Sequence, residues 1–377
     1  MNATTPGPQR PTIAILLPDL RMGGAERVSL ILAGGFVQAG YPVDLVLIKG
    51  AGQLLAEVPA GVRQVELGCA SEYTALRPLM NYLEQRRPAV AISSLDLASC
   101  VLLLARRLSG VDTMTTVVES STVSIFRRST AKKLMERLLL SALFPTANFR
   151  VGVSKNTARD LAAYIGLPAG QVKAIYNPII HRDLPRLAAE PVEHPWFVPG
   201  QPPVVLAVGR LRPEKDYATL LRAFRLVQAQ RDCRLVILGD GELRPELESL
   251  VQELGLQARV SLPGFAGNPY AYMSRAGVFV LSSSFEGLPS VLVQAMACGC
   301  PVVSTNCPSG PDEILEGGRY GHLVPVGDVE AIAAAVLDVL DGRGKPVPAG
   351  WLQQFEIETI IEQYLEMFGL PQPDRES

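Results

Sequence analysis

Residues 204–224 read VVLAVGRLRPEKDYATLLRAF, and this stretch decides the class of fold. Five apolar residues, Val204–Val208, predict a strand that is buried on both faces, because a half-exposed strand would carry a polar residue at every second position. Gly209 ends the run, the cations Arg210 and Lys215 follow, and the next apolar residues predict a helix. A buried strand, a short turn and a helix form the repeating unit of a parallel sheet covered by helices.

The same alternation runs along the chain in two series. Between them, residues 177–203 contain seven prolines, which predict a linker between domains. We therefore predict an α/β protein with two doubly wound, Rossmann-like parallel-sheet domains, at residues 1–185 and 200–348, facing each other across a ligand-binding cleft. The apolar runs that predict strands lie at residues 12–17, 43–48, 62–67, 89–93, 115–118, 150–153 and 172–176 in the first series, and at 204–208, 235–238, 278–281, 302–304 and 323–324 in the second.

Composition narrows the class of protein further. The chain has 377 residues, of which 48% are hydrophobic and 19% charged, which is typical of globular domains and excludes a disordered chain. No apolar run approaches the roughly 18 residues that span a bilayer, and no signal peptide is visible. Six cysteines without a C-x-x-C pair and only three histidines argue against a structural zinc site. We expect a cytoplasmic protein with reduced thiols.

Charge is divided unequally between the two halves. Residues 1–190 carry 21 basic and 14 acidic side chains, whereas residues 191–377 carry 14 and 23. The basic half fits an anionic membrane surface or an anionic substrate, although drift in surface charge would give the same division. A nucleic-acid partner is not expected.

Glycines and charges follow several of the predicted strands, at the carboxyl edge where parallel sheets bind ligands. Arg210 and Lys215 place two cations there, and Pro289 predicts the start of a helix, whose positive end would lie near Gly287 and Leu288. Cations beside a helix N-terminus predict a diphosphate site. Solvated loop charges are the alternative for Arg210 and Lys215, but the neighbouring glycines favour phosphate binding.

Several other chemistries lack their signatures. No G-x-x-x-x-G-K-[ST] motif is present, which argues against a P-loop nucleotidase, and no G-x-G-x-x-G follows the first strand, which argues against a dinucleotide dehydrogenase. The chain also lacks D-x-D, so a sugar diphosphate held by a metal ion is disfavoured, and it lacks the G-x-S-x-G of α/β-hydrolases.

Three segments of the chain resemble glycosyltransferase family 4. Residues 208–216, VGRLRPEKD, resemble its GRL-x-x-EK segment, residues 283–299 resemble its E-x7-E region, and residues 23–27, GGAER, resemble its N-terminal glycine loop. The resemblance implies the GT-B fold, a nucleotide-sugar donor on the C-terminal domain and an acceptor on the N-terminal domain. It also implies transfer with retention of the anomeric configuration and without a metal ion or other cofactor. In this family the last helix, here 351–368, crosses back to the N-terminal domain.

The resemblance also implies roles for individual residues. Arg210 and Lys215 would bind the donor diphosphate and stabilise its departure, and Glu286 would contact hydroxyls of the donor sugar; these three are the predicted catalytic residues. Glu26 and Ser120 are weaker candidates on the acceptor side. The predicted donor-binding residues are Gly23, Gly24, Gly209, Gly239, Gly241, Gly264, Phe265, Gly287, Leu288 and Gln294.

Two departures from the family pattern leave an alternative open. Gln294 replaces the second glutamate of E-x7-E and offers one acceptor oxygen and an NH2 donor in place of a carboxylate. At residues 119–121, Glu-Ser-Ser stands where relatives often carry a histidine. We expect an active enzyme using a UDP-sugar in bacterial surface-glycan synthesis. The alternatives are an epimerase or phosphorylase on the same fold, and a pseudo-glycosyltransferase that binds nucleotide or glycan as a partner subunit.

Residues 127–144 predict a cationic amphipathic helix. Arg127, Arg128, Lys132, Lys133 and Arg137 are interleaved there with leucines, a methionine and a phenylalanine. Such a helix can lie on an anionic membrane, although an ordinary helix with its apolar stripe in the core has the same pattern. We expect peripheral association with the inner face of the cell membrane and an acceptor that is a glycan or a lipid-linked saccharide.

Overall fold

The computed structural model describes residues 10–21, 23–94, 96–124, 130–168 and 170–373. The chain forms two compact units. Unit 1 comprises Met1–Pro178 and Ile357–Ser377, and unit 2 comprises Ile179–Glu356.

Unit 1 is built on a seven-stranded parallel sheet with the strand order β3-β2-β1-β4-β5-β6-β7. Strands β1 and β2 are buried at every position, which is why their sequences are continuous apolar runs. The strands are β1 (Ile13–Leu17), β2 (Val43–Leu47), β3 (Val62–Glu66), β4 (Val90–Ser93), β5 (Met114–Glu119), β6 (Phe149–Gly152) and β7 (Lys173–Ala174).

Unit 2 has a six-stranded parallel sheet with the order β10-β9-β8-β11-β12-β13. The strand β10 was not predicted, because its sequence VSLPG contains a proline and a glycine, which are unfavourable inside strands. The strands are β8 (Val204–Val208), β9 (Arg234–Leu238), β10 (Val260–Gly264), β11 (Val278–Leu281), β12 (Val302–Thr305) and β13 (His322–Val324).

Helices connect successive strands and cover the sheets. Among the described residues, none of them has both the length and the apolar character needed to cross a bilayer. In unit 1 they are α1 (Gly24–Gln38), α2 (Leu76–Arg86), α3 (Asp96–Ser109), α4 (Thr130–Leu143) and α5 (Lys155–Ile165). In unit 2 they are α6 (Leu184–Ala189), α7 (Tyr217–Gln228), α8 (Arg244–Glu253), α9 (Pro269–Met273), α10 (Ser290–Ala297), α11 (Pro311–Ile314), α12 (Val329–Asp338) and α13 (Ala349–Leu352), and α14 (Ile357–Phe368) returns to unit 1.

The predicted helix at residues 351–368 is two helices. Phe355 is fully buried, and its carbonyl accepts hydrogen bonds from the backbone N–H groups of Ile179 (2.9 Å) and Ile180 (3.0 Å). These bonds draw the chain out of the helical conformation, and α14 begins only after Glu356. Within unit 1, a Cβ at Gly35 of α1 would stand 2.7 Å from the side chain of Ile361, so the glycine permits close packing of α14.

The proline-rich segment, predicted as a linker, contains the division between the two units, and its residues from Ile179 onward belong to unit 2. Two of its prolines lie in first turns, where proline is tolerated: Pro185 is the second residue of α6, and Pro195 is the first residue of a 3₁₀ turn. Asn268 donates a 2.9 Å hydrogen bond to the carbonyl of Leu187, and the guanidinium of Arg234 lies 5.0 Å from the ring centre of Trp196. The segment therefore packs against unit 2.

A buried carboxylate stabilises the amino end of β2. Asp44 has 1% of its side chain exposed and accepts hydrogen bonds from Arg63 (2.9 and 2.7 Å), Tyr82 (2.8 Å) and Arg86 (3.0 Å). Burial by itself disfavours the charged form, but the hydrogen bonds from the two arginines and the tyrosine outweigh it and hold the pKa of Asp44 below its ordinary value. The folded state therefore favours the ionised carboxylate.

Replacing Asp44 by asparagine should lower the free energy of unfolding by about 2–3 kcal/mol at pH 7, because two charge-assisted contacts lose their anion. Since the pKa of Asp44 is lowered by folding, this stabilisation is present above the ordinary carboxyl pKa of about 3.9 and is lost as the pH falls through the lower native value. Urea unfolding between pH 7 and pH 3 measures both effects, with the exposed Asp112→Asn as control. A difference between wild type and Asp44→Asn that does not shrink at low pH would contradict this account.

Candidate active site

The strand order of each sheet defines a topological switch point. In unit 2 the chain proceeds from β8 to β9 and β10 on one side and then returns to β11 on the other side of β8. The connections after β8 and β11 consequently leave opposite faces of the sheet and open a crevice at its carboxyl edge, where ligands bind in such folds. The loop after β8 carries Arg210 and Lys215, and the loop after β11 carries Glu286.

An ion pair joins these two loops. The ammonium Nζ of Lys215 lies 2.6 Å from Oε1 of Glu286, with 17% and 14% of the two side chains exposed. The hydroxyl of Ser283 donates a second hydrogen bond, of 2.7 Å, to the same oxygen. Arg210 is exposed, and within the described part of the chain its guanidinium makes no hydrogen bond or ion pair. The structure thus places one predicted cation beside a carboxylate and leaves the other open to solvent.

Tyr217 lies beneath the turn after β8. A Cβ at Gly209 would stand 2.8 Å from the hydroxyl of Tyr217 and 3.3 Å from Cε of Lys215. Burial, together with the negative charges of Glu286 and Glu214, raises the pKa of Tyr217 well above its ordinary value. The phenol therefore stays neutral, and its hydroxyl packs against the turn at Gly209.

The predicted glycines allow the loops after β8 and β9 to nest against each other. A Cβ at Gly239 would collide with the carbonyl of Gly209, and one at Gly241 would lie 2.5 Å from the carbonyl of Leu211. Arg244 fixes the same edge, because its guanidinium donates to the carbonyls of Gly239 (3.2 Å) and of Leu262 in β10 (3.0 Å). Glycine at these two positions is required by close backbone approach.

The remaining predicted donor residues lie at the ends of β10 and around α10. Gly264 ends β10 with φ +95°, and the Phe265 side chain that follows is 66% exposed. Helix α10 begins at Ser290, with Pro289 at the cap position, one residue before the helix. Leu288 is buried just ahead of this helix start.

Gln294 of α10 is held by an aromatic neighbour. Its amide Nε2 donates a 3.3 Å hydrogen bond to the hydroxyl of Tyr270, and the ring of His181 lies edge-on to Tyr270 with centroids 5.5 Å apart. Burial lowers the pKa of His181, so this imidazole is neutral at physiological pH. The three side chains form one contiguous group within unit 2.

In unit 1, the predicted residues lie after β1 and β5. Gly23 caps α1, and a Cβ at Gly23 would collide with the carboxylate of Glu26, whereas a Cβ at Gly24 would meet nothing within 4 Å. At the end of β5 the carboxylate of Glu119 accepts hydrogen bonds from the N–H and the hydroxyl of Ser121, both at 2.9 Å. Ser120 is half-buried beside this turn.

Sequence reasoning missed three residues that shape the unit 2 site: Ser283, Tyr217 and Tyr270. Serine and tyrosine at these positions resemble ordinary loop or core residues, and their partners are distant in sequence. All six cysteines are free thiols, as predicted. Among them Cys307 lies in the loop after β12, where burial and the negative charge of Glu286 raise its pKa to about 12, so this thiol is not reactive at neutral pH.

Comparison with solved structures identifies the class of fold. The fold resembles that of Anabaena HepE in complex with UDP-glucose (TM-score 0.76, 20% identity, 95% of this chain and 99% of that chain). It also resembles the apo form of the lipopolysaccharide outer core galactosyltransferase WaaB (TM-score 0.73, 18% identity, 95% and 99%). Two parallel-sheet units with this topology define the GT-B fold of glycosyltransferases.

Sequence comparison narrows the class to a family. Residues 192–349 match the model "Glycosyl transferases group 1", and residues 22–182 match "Glycosyltransferase Family 4". The chain is 29% identical over 345 residues to the N-acetylgalactosamine-N,N'-diacetylbacillosaminyl-diphospho-undecaprenol 4-alpha-N-acetylgalactosaminyltransferase of Campylobacter jejuni, covering 87% of this chain and 90% of that protein. It is 34% identical over 180 residues to the lipopolysaccharide core biosynthesis glycosyltransferase LpsE of Rhizobium meliloti, covering 45% and 51%. The chain belongs to glycosyltransferase family 4, as the sequence motifs indicated.

Replacing Gly239 by alanine should destabilise unit 2 more than replacing Gly255 by alanine. Both glycines have positive φ, +136° and +69°, but a Cβ at Gly255 would meet nothing within 4 Å. The Gly255 variant therefore reports backbone strain alone, about 1–2 kcal/mol, and Gly239→Ala should lose about 1–3 kcal/mol more from the collision with Gly209. Denaturant unfolding measures the difference, and equal losses would show that the two loops can separate freely.

Proposed function

We propose that this glycosyltransferase moves a sugar from a UDP-sugar to a glycan or a lipid-linked saccharide, with retention of the anomeric configuration and without a metal ion. The observation that carries the proposal is the Lys215–Glu286 pair, 2.6 Å apart at the switch point of unit 2. Two relatives support the choice of substrates. HepE was solved with UDP-glucose, and the Campylobacter jejuni relative is named for an undecaprenol-diphosphate acceptor and an alpha linkage.

In the proposed reaction, the bond between the anomeric carbon and the diphosphate breaks, and its electron pair leaves with the diphosphate. Arg210 and Lys215 stabilise the charge that accumulates there, which is an electrostatic contribution of about 2.7–4 kcal/mol for each well-placed donor. Glu286 accepts hydrogen bonds from sugar hydroxyls, and backbone around Gly287 and Leu288 lies alongside the sugar. An acceptor hydroxyl attacks the same face of the sugar and passes its proton to the departing diphosphate.

The other predicted residues bind the two substrates. The base lies against the backbone at Gly264 and the exposed ring of Phe265, and the turns at Gly209, Gly239 and Gly241 approach the phosphates. Gln294 contacts the ribose through a neutral amide. In unit 1, Gly23 and Gly24 approach the donor, and Glu26 of α1 and Ser120 after β5 supply the acceptor side.

The second candidate function is a pseudo-glycosyltransferase that binds nucleotide or glycan as a partner subunit. Gln294, in place of the family's glutamate, is the observation that favours it. The bonded group of Lys215, Glu286 and Ser283 favours the enzyme, because a chain that only binds nucleotide has no need of a partly buried ion pair at that position. Turnover separates the two functions.

A donor panel tests the enzyme. Among UDP-, GDP-, ADP- and dTDP-sugars, only UDP-sugars should raise the melting temperature, and UDP release should continue in EDTA. Arg210→Ala and Lys215→Met should each lower kcat/KM about 100- to 1000-fold. Arg222→Ala, an exposed arginine on α7, serves as the control and should leave it unchanged.

Each part of the proposal has its own contrary result. Full activity in both Arg210→Ala and Lys215→Met would show that these cations do not bind the donor diphosphate. Loss of activity in EDTA that Mg²⁺ restores would show metal dependence. A product with inverted anomeric configuration, read from its proton coupling constant, would exclude retention. Tight UDP binding without turnover on any acceptor would establish the partner-subunit function.

We further propose that α4 attaches the enzyme to the cytoplasmic face of an anionic membrane. Four apolar side chains on one face of α4 are exposed: Leu134 (58%), Met135 (74%), Leu138 (63%) and Leu139 (39%). On the opposite face Leu140 is buried in the core of unit 1, so the helix already has its core contact and the exposed face is additional.

The sequence of residues 127–144 contains five basic residues. Arg137 lies on α4 itself, and its guanidinium is 5.9 Å from the ring centre of Tyr164. Arg127 and Arg128 are not among the residues that the structure describes. For Lys132 and Lys133 the structure describes the backbone and not the side chain. Each basic residue close to an anionic surface contributes about 1 kcal/mol, so electrostatic attraction would add to apolar insertion.

Liposome flotation tests this attachment. The protein should float with vesicles that contain anionic phospholipid and stay in the dense fraction with purely zwitterionic vesicles. Met135→Glu/Leu138→Glu should lose flotation, whereas Leu108→Glu, which changes a leucine of α3 that is 59% exposed, should not. Equal flotation with both kinds of vesicle, or loss in the Leu108 control, would end this part of the proposal.

A further inference from the structure

Three consecutive serines follow β11, and each bonds a different part of the unit 2 site. The hydroxyl of Ser282 donates a 2.7 Å hydrogen bond to the backbone carbonyl of Lys215. The hydroxyl of Ser283 donates to the carboxylate of Glu286 at 2.7 Å. The backbone N–H of Ser284 donates to the carbonyl of Glu214 at 2.8 Å.

Ser283 is fixed at both its side chain and its backbone. It is fully buried, and its carbonyl accepts a 2.6 Å hydrogen bond from the hydroxyl of Thr305 in β12. A hydroxyl has a single proton to donate, and here that proton goes to an ionised oxygen, which makes the bond stronger than one between neutral groups. The position of Oε1 of Glu286 is therefore set by the sheet through Ser283.

The same oxygen receives the ammonium of Lys215. A lysine side chain has a flexible four-carbon stem, and holding it in one rotamer costs conformational entropy. Ser282 holds the backbone of Lys215 at its carbonyl, and Ser283 holds its ammonium through Glu286. The serine run thus fixes the two ends of one cation.

We propose that Ser282 and Ser283 are positioning residues for Lys215, which they orient towards the diphosphate of the donor. The inference deepens the proposed function and rests on it, because the orientation of Lys215 matters to catalysis only if this cation acts on the leaving group. Neither serine touches the reacting atoms.

Kinetics of Ser283→Ala test the proposal, with UDP release from UDP-glucose and UDP-N-acetylgalactosamine as the assay. The turnover number should fall about tenfold while KM for the donor stays within threefold, because a misplaced charge weakens the transition state more than the bound substrate. Ser304→Ala is the matched control, since Ser304 is also fully buried in unit 2 and donates only to a backbone carbonyl, at 2.9 Å. It should leave both constants unchanged.

A double-mutant cycle separates positioning from a general structural effect. In the Glu286→Gln background, the further change Ser283→Ala should alter turnover by less than twofold, because its action passes through Glu286. The same tenfold loss in both backgrounds, or a loss of equal size in Ser304→Ala, would overturn the proposal.

A crystal structure of Ser283→Ala provides a readout that does not depend on activity. The Lys215 ammonium should move by more than 1 Å or occupy several conformers, and an unchanged ion pair would overturn the proposal. If the wild-type chain releases no UDP from any donor, the proposed function fails. The position of Lys215 in the crystal structure of Ser283→Ala still decides whether Ser283 orients this lysine.

Discussion

The ion pair between Lys215 and Glu286 is the constraint on which the unit 2 site depends. Its two side chains are 71 residues apart in the chain and only 17% and 14% exposed, so both have lost most of their hydration. Such a pair is stable only when its geometry is good and further hydrogen bonds compensate for the lost water. Ser283 supplies one of these bonds. The pair consequently requires the loops after β8 and β11 to keep one position relative to each other.

Close backbone packing extends that constraint to β9 and β10. The turn at Gly209 rests on the buried ring of Tyr217 and against Gly239, where a Cβ would collide. Arg244 then ties the turn after β9 to β10 through the carbonyls of Gly239 and Leu262. Moving any one of these turns would therefore displace its neighbours, so the turns after β8 and β9 and the strand β10 are coupled to one another.

The order of strands and helices could be predicted because fully buried parallel strands have continuous apolar runs in their sequence. Prediction failed where tertiary contacts overrule local pattern: β10 contains a proline and a glycine, and the proline-rich segment includes α6 and a 3₁₀ turn that pack within unit 2. In the site, glycine and charge patterns located the loops, and resemblance to a family assigned roles. The contacts of Ser283 could not be predicted, because a hydrogen bond between loop residues produces no periodic pattern in the sequence.

In the proposed function, binding of an anionic donor by the C-terminal half of the chain would depend on short-range contacts. Residues 191–377 carry 14 basic and 23 acidic side chains, so their summed field repels a nucleotide diphosphate at long range. At physiological ionic strength the screening length is about 8 Å, which weakens that repulsion and leaves only adjacent groups effective. In the proposed function, an approaching diphosphate would meet the exposed guanidinium of Arg210 before Lys215, whose charge Glu286 already offsets. Lys215 would then act in the closer, desolvated stage of that proposed reaction, where a fixed position of the charge matters most.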